Sequence, residues 1–473
     1  MPTTLELNMT TQAEISTKSK AKFSFSLGKN HKLLIGYVTL LMLPFVAAQI
    51  LDMDFKGWYV SLLSLINILA MMAFFIQFPL SSRIKQLPLF ANIDWSMNQH
   101  KQIGKWLGII FLLHPMLILA PRFFVSFDDG VISLIKTLTA PQMLTAIIAW
   151  VLLILWVLLS IYKDKLPMRY ETWRLTHLLG FVAITILATL HITSVGRHGQ
   201  FQDQFNLVWW GLCGFSLLMV TYNYLLKPTR LKHQPFTLKE VTKVSCCDWQ
   251  VTVEKQQGDD FYFEAGQFVW LNTSSSVHGV NEHPFSIASC QNDLPKISFI
   301  IRELGDYTNN LDRLTLGQQV YIDGPYGSMS LNDSMQAKGI TLIAGGVGIG
   351  PMLSLLRGLV SNRETRPVRL IYGNNSLEQM VLLDEIQKLT QQMPHFKLQL
   401  VCQQLVCQKV SEQYKIYAGV VDKQCIENNI DLTQADRWAV YLCGPKPMIV
   451  AVKHSLKVLH IPNSNIHYER LSF

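Results

Sequence analysis

Apolar and polar positions divide the chain into two unlike halves. Before about residue 227, long uncharged apolar runs dominate. Six of them approach or reach the about 20 residues a helix needs to cross a hydrocarbon core: Leu33–Leu51, Trp58–Leu80, Ile103–Ala120, Pro141–Tyr162, Leu175–Val195 and Leu207–Leu226. Only the third holds a Lys or Arg, Lys105, near its start. Pro44 and Pro79 are tolerable inside spans when neighbours satisfy the freed carbonyls. From about His233 the pattern changes to short alternating strands ("FTLKEVTKVSCCDWQVTVEK", "FYFEAGQFVWLNT"). Later, apolar strands alternate with apolar-faced helices.

The loops between the runs carry an asymmetric charge. Lys18, Lys20, Lys22, Lys29 and Lys32 precede the first run. Arg83, Lys85 and Lys101 lie in the second loop, and Lys163, Lys165, Arg169 and Arg174 in the fourth. Lys227, Arg230 and Lys232 follow the sixth run. The alternate loops hold only Lys56, Arg122, Lys136 and Arg197. Positive-inside bias therefore places both termini and the second half in the cytoplasm. Met1 to Lys32 is polar, lysine-rich and without a signal-peptide core, and is expected to be a cytoplasmic tail.

Composition agrees with a membrane half. The 473 residues are 49% hydrophobic and only 16% charged, against about 25% charged in soluble domains. The net charge of +8 is explained by membrane-flanking cations and calls for no nucleic-acid partner. The eight cysteines are Cys213, Cys246, Cys247, Cys290, Cys402, Cys407, Cys425 and Cys443. None forms C-x-x-C, which excludes zinc-ribbon and plant-type iron–sulfur spacing. They read as reduced thiols.

Two spans carry paired histidines. His100 and His114 belong to the third, His177 and His191 to the fifth, and both gaps are fourteen residues. Fourteen residues turn through about 1400°, within about 40° of four full turns, and rise about 21 Å. Each pair therefore shares one helix face. If the two spans are neighbours, His100 faces His177 and His114 faces His191 at a second depth. Each facing pair could hold a haem iron axially. A lone membrane histidine is more often a packing or proton-path residue, and His100 could be interfacial beside Asn98, Gln99 and Lys101. Identical spacing on two helices that run the same way favours the metal reading.

"HKQIGKWLGIIFLLH" and "YETWRLTHLLGFVAITILATLH" resemble the haem helices of the NADPH oxidase and ferric reductase superfamily. That resemblance extends over nearly all of the chain after the N-terminal tail. It implies a six-helix transmembrane bundle, then a β-barrel FAD-binding domain and an α/β Rossmann-like NAD(P)-binding domain. The expected boundaries are 1–32 for the tail, 33–227, 233–330 and 336–473. It implies two b-type haems with His100, His114, His177 and His191 as iron ligands.

"HPFSIAS" and "IRELGDYTNNL" resemble the superfamily's flavin motifs. The resemblance implies that His283, Pro284, Phe285 and Ser286 line the FAD, with Phe285 packed near the flavin and Ser286 near its N5. Arg302, Gly305 and Thr308 would lie at the phosphates, where a following helix start would offer free N–H groups. "GITLIAGGVGIGPM" is a strand, a glycine turn and a helix start. Its Gly345, Gly346, Gly348, Gly350 and Pro351 are expected to cradle NAD(P)H. "CGP", Cys443 to Pro445 with Gly444 between, would bring Cys443 near the nicotinamide. At the chain end "HYERLSF", Glu469 and Phe473 would lie over the flavin, the ring yielding to nicotinamide.

These parts predict a transmembrane oxidoreductase that carries electrons from cytoplasmic NAD(P)H through FAD and two haems to an outer acceptor. A ferric chelate and dioxygen, giving superoxide, are the leading acceptors. The alternative is an electron donor to a dedicated periplasmic or extracellular protein. A haem carrier or channel would not need the flavin and nicotinamide motifs. Arg122, Arg197 and His198 could attract an anionic acceptor or be ordinary loop residues. "YGNNS" lacks the Arg often used for a 2′-phosphate, while Arg363, Arg366 and Arg369 are near in sequence. The compact architecture predicts a bacterial inner membrane.

Overall fold

The computed structural model describes residues 29–53, 57–84, 92–195, 203–256, 261–404 and 416–469. The tail before residue 29, Arg197, His198, Cys407 and Phe473 lie outside the described residues.

Among the described residues, six helices are long and apolar enough to cross a membrane. They are α1 (Lys29–Ile50), α2 (Trp58–Ser81), α3 (Ile93–Val125), α5 (Leu144–Ile161), α6 (Tyr170–Ser194) and α7 (Asp203–Thr221). α2 is central, with Phe74 and Phe75 buried against Phe111, Phe181 and Trp209. The outward faces keep Leu, Ile and Val exposed, which is the surface lipid tails would cover. α5 and α6 meet closely at Gly180, where any Cβ would overlap the Trp156 indole. Trp156 Nε1 donates to Thr176 O at 2.7 Å across the same contact.

Two helices extend beyond their apolar runs. α3 begins ten residues before Ile103, because Asn92 caps it by accepting from Trp95 N. Its polar first turns pack Ile93 and Met97 on the barrel residues Phe268, Trp270 and Tyr326. α6 likewise starts at Tyr170 rather than Leu175. The segment between Arg122 and Ala140, read from sequence as a loop, is largely helix α4 (Phe127–Thr139). Ser126 caps it, Asp128 and Asp129 occupy its first turn, and Phe127, Ile132, Ile135 and Leu138 stay exposed. That is the residue pattern of an amphipathic helix. α7 continues through a wide π turn, Tyr222–Leu226, into α8 (Lys227–Lys232). Strand β1 begins only four residues later, at Phe236.

The first sheet is antiparallel in the order β4-β3-β6-β1-β2-β5. Its strands are β1 (Phe236–Lys243), β2 (Asp248–Lys255), β3 (Phe268–Asn272), β4 (His283–Ser286), β5 (Lys296–Arg302) and β6 (Gln319–Tyr326). Ile287 bridges to Phe299 of β5 just past β4, which closes the barrel. Val251, Val253, Val269, Leu271, Phe299 and Ile322 fill its core.

The second sheet is wholly parallel in the order β10-β9-β8-β7-β11-β12. It comprises β7 (Gly339–Gly345), β8 (Val368–Asn374), β9 (Phe396–Cys402), β10 (Ile416–Ala418), β11 (Trp438–Cys443) and β12 (Ile466–Tyr468). β7 is buried at every position, as a strand covered on both faces must be. The order reverses between β7 and β11, and ligands of such sheets bind beyond the strand ends at that crevice.

Candidate functional site

The structure brings His100 of α3 and His177 of α6 together, with ring centres 6.4 Å apart. Metal–imidazole bonds of about 2 Å, plus the half-width of each ring, give nearly that separation for two imidazoles sharing one iron. The pair therefore fits bis-axial haem ligation. Ser160 Oγ gives its proton to Trp156 O at 2.7 Å and lies 3.2 Å from His177 Nδ1. Ser160 can then only accept from Nδ1–H, which leaves Nε2 of His177 bare for a metal. His114 follows the same rule. Its Nδ1 lies 3.0 Å from Asn67 Oδ1 on α2, an acceptor oxygen, so the ring proton sits on Nδ1. His191 occupies the last turn of α6. Phe74, Phe111 and Phe181 cluster with ring centres 6.0 and 6.2 Å apart. Phe111 precedes His114 by one helix turn and Phe181 follows His177 by one, so the cluster lies between the two depths.

In the barrel, β4 pairs with β3 so that His283 is opposite Leu271 and Phe285 opposite Val269. His283 and Phe285 share one face, where Tyr307 lies 4.1 Å and 6.1 Å from their ring centres. Pro284 and Ser286 take the other face. Among the described residues Ser286 Oγ is buried with no hydrogen-bond partner, and an orphaned buried hydroxyl fits a donor to flavin N5. Burial pushes the Tyr307 hydroxyl up to about 12, so it stays protonated and bonds Thr273 Oγ1 at 3.0 Å.

The phosphate motif forms a self-bonded turn. Thr308 Oγ1 accepts from the amides of Leu304 and Gly305 at 2.8 and 3.1 Å, so it caps its own turn. The helix that follows is a single short 3-10 stretch, Thr308–Arg313. Arg302 is gripped by Asp248 at 2.8 and 3.0 Å. Gly346 approaches the other side of its guanidinium: at φ 54°, an added Cβ would lie 2.9 Å from Arg302 Nη1. Arg302 thus stands at the seam between the two sheets.

The glycine turn occupies the crevice of the parallel sheet. β7 ends at Gly345, the turn is Gly346–Gly348, and α9 (Ile349–Ser361) opens with Gly350 and Pro351. Any Cβ on Gly348 would overlap Cys443 O, and Gly444 packs on Gly345. Cys443 is the last residue of β11, beside Ala344 in register, and Pro445 precedes α10 (Lys446–Val458). Gly350 faces the carbonyl of Ser286. One place therefore collects Ser286, the glycine turn, Cys443 and Arg302. Glu469 is buried against Gly327 and Phe268 at the barrel's edge.

Comparison with known proteins agrees in order along the chain. A family described as ferric reductase like transmembrane component matches residues 60–188. An FAD-binding domain family matches 236–330, and an oxidoreductase NAD-binding domain family matches 342–454. The chain has the NADPH oxidase and ferric reductase architecture. Its three matched parts are those of an NAD(P)H-dependent oxidoreductase. Its second half is similar to the reductase component of propane 2-monooxygenase from Mycolicibacterium smegmatis. They are 29% identical over 213 residues, 44% of this chain and 59% of that protein. The 2-halobenzoate 1,2-dioxygenase electron transfer component of Burkholderia cepacia is 27% identical over 50% of this chain and 66% of its own length. The cytochrome b5 reductase domain of Ulva prolifera nitrate reductase aligns over 50% of this chain and 97% of its own, at 19% identity and TM-score 0.43. The chain thus spans about 59% of the first of these relatives.

Sequence reasoning missed the joint between the superfamily's membrane and flavin parts. Arg83, just past α2, reaches Glu282 at 2.8 Å and Asp323 at 3.1 Å. Arg174 of α6 reaches Glu282 at 2.9 Å, and Lys227 of α8 reaches Asp323 at 2.8 Å. Both guanidiniums lie over Trp270, at 4.7 and 5.6 Å. Burial pushes the Glu282 and Asp323 carboxyls up, but the adjacent cations outweigh it and hold both below the usual carboxylate range. His283 Nε2 also meets Glu171 of α6 at 3.2 Å. Its positive-inside cations were visible in sequence, but their carboxylate partners were not.

The three arginines near β8 lie at the wrong end for a nucleotide. Arg366 bonds Glu364, Ser334 O and Ala337 O, and Arg369 bonds His395 O. Arg363 follows α9. All precede or begin β8, opposite the glycine turn.

Proposed function

We propose that this chain is a transmembrane flavohaem oxidoreductase. It moves electrons from cytoplasmic NAD(P)H through FAD and two b-type haems to an acceptor across the membrane, a ferric chelate or dioxygen. Residues 33–227 hold the haems, 233–330 the FAD and 336–473 the nicotinamide. The observation that carries this reading is the 6.4 Å separation of His100 and His177, joined to the barrel through Glu171 and His283. When bound, nicotinamide supplies a hydride, flavin divides the electron pair, and haem passes single electrons.

The chain's own groups do the rest. The glycine turn and the start of α9 would hold a dinucleotide's phosphates. Cys443 borders the place where the nicotinamide meets Ser286. Ser286 Oγ offers a proton to the flavin ring, and His283, Phe285 and Tyr307 wall it on the membrane side. Ser160 and Asn67 fix the tautomers that present His177 and His114 to iron. His191 completes the outer pair. Lys and Arg at the inner loops support a bacterial plasma membrane orientation with the soluble half inside.

Two names among the relatives, a reductase component and an electron transfer component, favour a second reading: donation to a dedicated protein acceptor beyond the membrane. Purified, haem-supplied protein decides between them. Two haems per chain, with superoxide or ferrous iron formed from NAD(P)H at rates of small-acceptor turnover, support the first. Slow turnover with both acceptors supports the second, and no haem absorbance defeats each.

A further inference from the structure

A file of aromatic rings runs from the barrel to the inner histidine pair. On α6, Tyr170, Trp173, His177 and Phe181 recur at steps of three, four and four residues, which places them on one helix face. Ring centres are 5.9 Å apart from Tyr170 to Trp173 and 5.1 Å from Trp173 to His177. His283 lies 6.0 Å from Tyr170, with Tyr307 behind it at 4.1 Å. His100 stands at the far end, 6.4 Å from His177. Each spacing falls in the range of rings in contact. From Tyr170 to His177 the helix advances about 10 Å, and Trp173 fills the middle of that interval. The Lys163 ammonium lies 4.9 Å from its ring centre.

We propose that Trp173 is the bridging ring for electron transfer from the flavin to the inner haem, with Tyr170 as the neighbour that receives from the His283 side. This rests on the di-haem reading above. Electronic coupling decays steeply across gaps between atoms and less steeply through packed π systems, so a large ring at the midpoint shortens the weakest part of the path. In each transfer the reduced flavin loses one electron and one ferric haem iron becomes ferrous. The rings end unchanged. The proton of the original hydride is released once the second electron has left.

The test uses the full chain loaded with haem and FAD, carrying Trp173→Leu or Trp173→Phe, mixed anaerobically with NAD(P)H. Haem content, the Soret band and the haem midpoint potentials are measured first, then flavin bleaching and haem reduction separately. Trp173→Leu is expected to keep haem, potentials and flavin bleaching, and to reduce haem about tenfold more slowly. Trp173→Phe, which keeps a ring, is expected within about twofold of the parent. Haem reduction at the parent rate in Trp173→Leu overturns the proposal, as does equal slowing in both variants. If Trp173→Leu loses haem, Tyr170→Leu, one step further from the ligand, is judged by the same criteria. A parent protein without haem absorbance would instead defeat the di-haem reading, before any rate is compared.

Discussion

His283 Nε2 lies 3.2 Å from the Glu171 carboxylate, so a residue of the flavin motif stands against the helix that presents His177. The barrel is registered on α6 through the neighbouring Arg174–Glu282 ion pair at 2.9 Å. Glu171→Gln is expected to leave FAD and haem content intact and to slow flavin-to-haem transfer severalfold. Stopped-flow traces at haem and flavin wavelengths check this, and an unchanged haem-reduction rate would count against it.

Asp323 is buried between Arg83 and Lys227. Removing one member of a buried ion pair typically costs about 3–5 kcal/mol, because the stranded charge stays desolvated. Asp323→Ala should therefore lower the melting temperature in detergent far more than Glu254→Ala, whose partner Lys239 is 43% exposed. Equal losses would refute the joint's weight.

The same joint sets a pH response. Glu282 and Asp323 have native pKa values below their ordinary ones, so the unfolded chain binds more protons in acid. Their contribution is fully present above the unfolded values of about 4. It is lost as pH falls through the depressed native values. Thermal melts from pH 7 to pH 3 should show an acid limb that shrinks in Asp323→Asn. A limb unchanged in that variant would assign it elsewhere.

Ser160 accepts from His177 Nδ1. Outer partners of metal-bound histidines are commonly worth about 10–100-fold in metal affinity. Ser160→Ala is expected to weaken haem retention at the inner site and shift its midpoint potential, while the outer haem keeps its spectrum. Equal loss of both haems on dilution would contradict the assignment.

Any Cβ on Gly348 would overlap Cys443 O. Gly348→Ala should abolish flavin bleaching by NAD(P)H, while dithionite still reduces the haems. By contrast Arg369→Ala should leave the NADH-to-NADPH preference unchanged, since that side chain serves His395 O. A changed preference would return the arginine to the nucleotide site.

Periodic features were the legible ones. Fourteen residues make nearly four whole turns, so the pairing of His100 with His177 could be read without coordinates. The glycine turn and Cys443 were legible because strand order brings the ends of β7 and β11 together. The Asn92-capped start of α3 was not, since hydropathy does not register a polar helical turn. α4 was missed because alternating polar and apolar residues lower its average hydropathy. The pairings of Arg83 with Asp323 and of Glu171 with His283 leave no local signal at all. A motif records residue type, so Thr308 was expected at phosphates; the two amides of its own turn that its hydroxyl accepts from left no signal in the sequence.

The unbroken run from α7 through the π turn into α8, four residues short of β1, has a mechanical consequence. It acts as a torsion bar. Swivelling the barrel against the membrane would mean twisting that shaft and pulling Arg83, Arg174 and Lys227 from their carboxylates together. The barrel is therefore held as one piece with the membrane helices. Its other border, where Gly346 rests against Arg302, is bonded as well, through Ser354 to Ser289 O and Arg357 to Ala288 O.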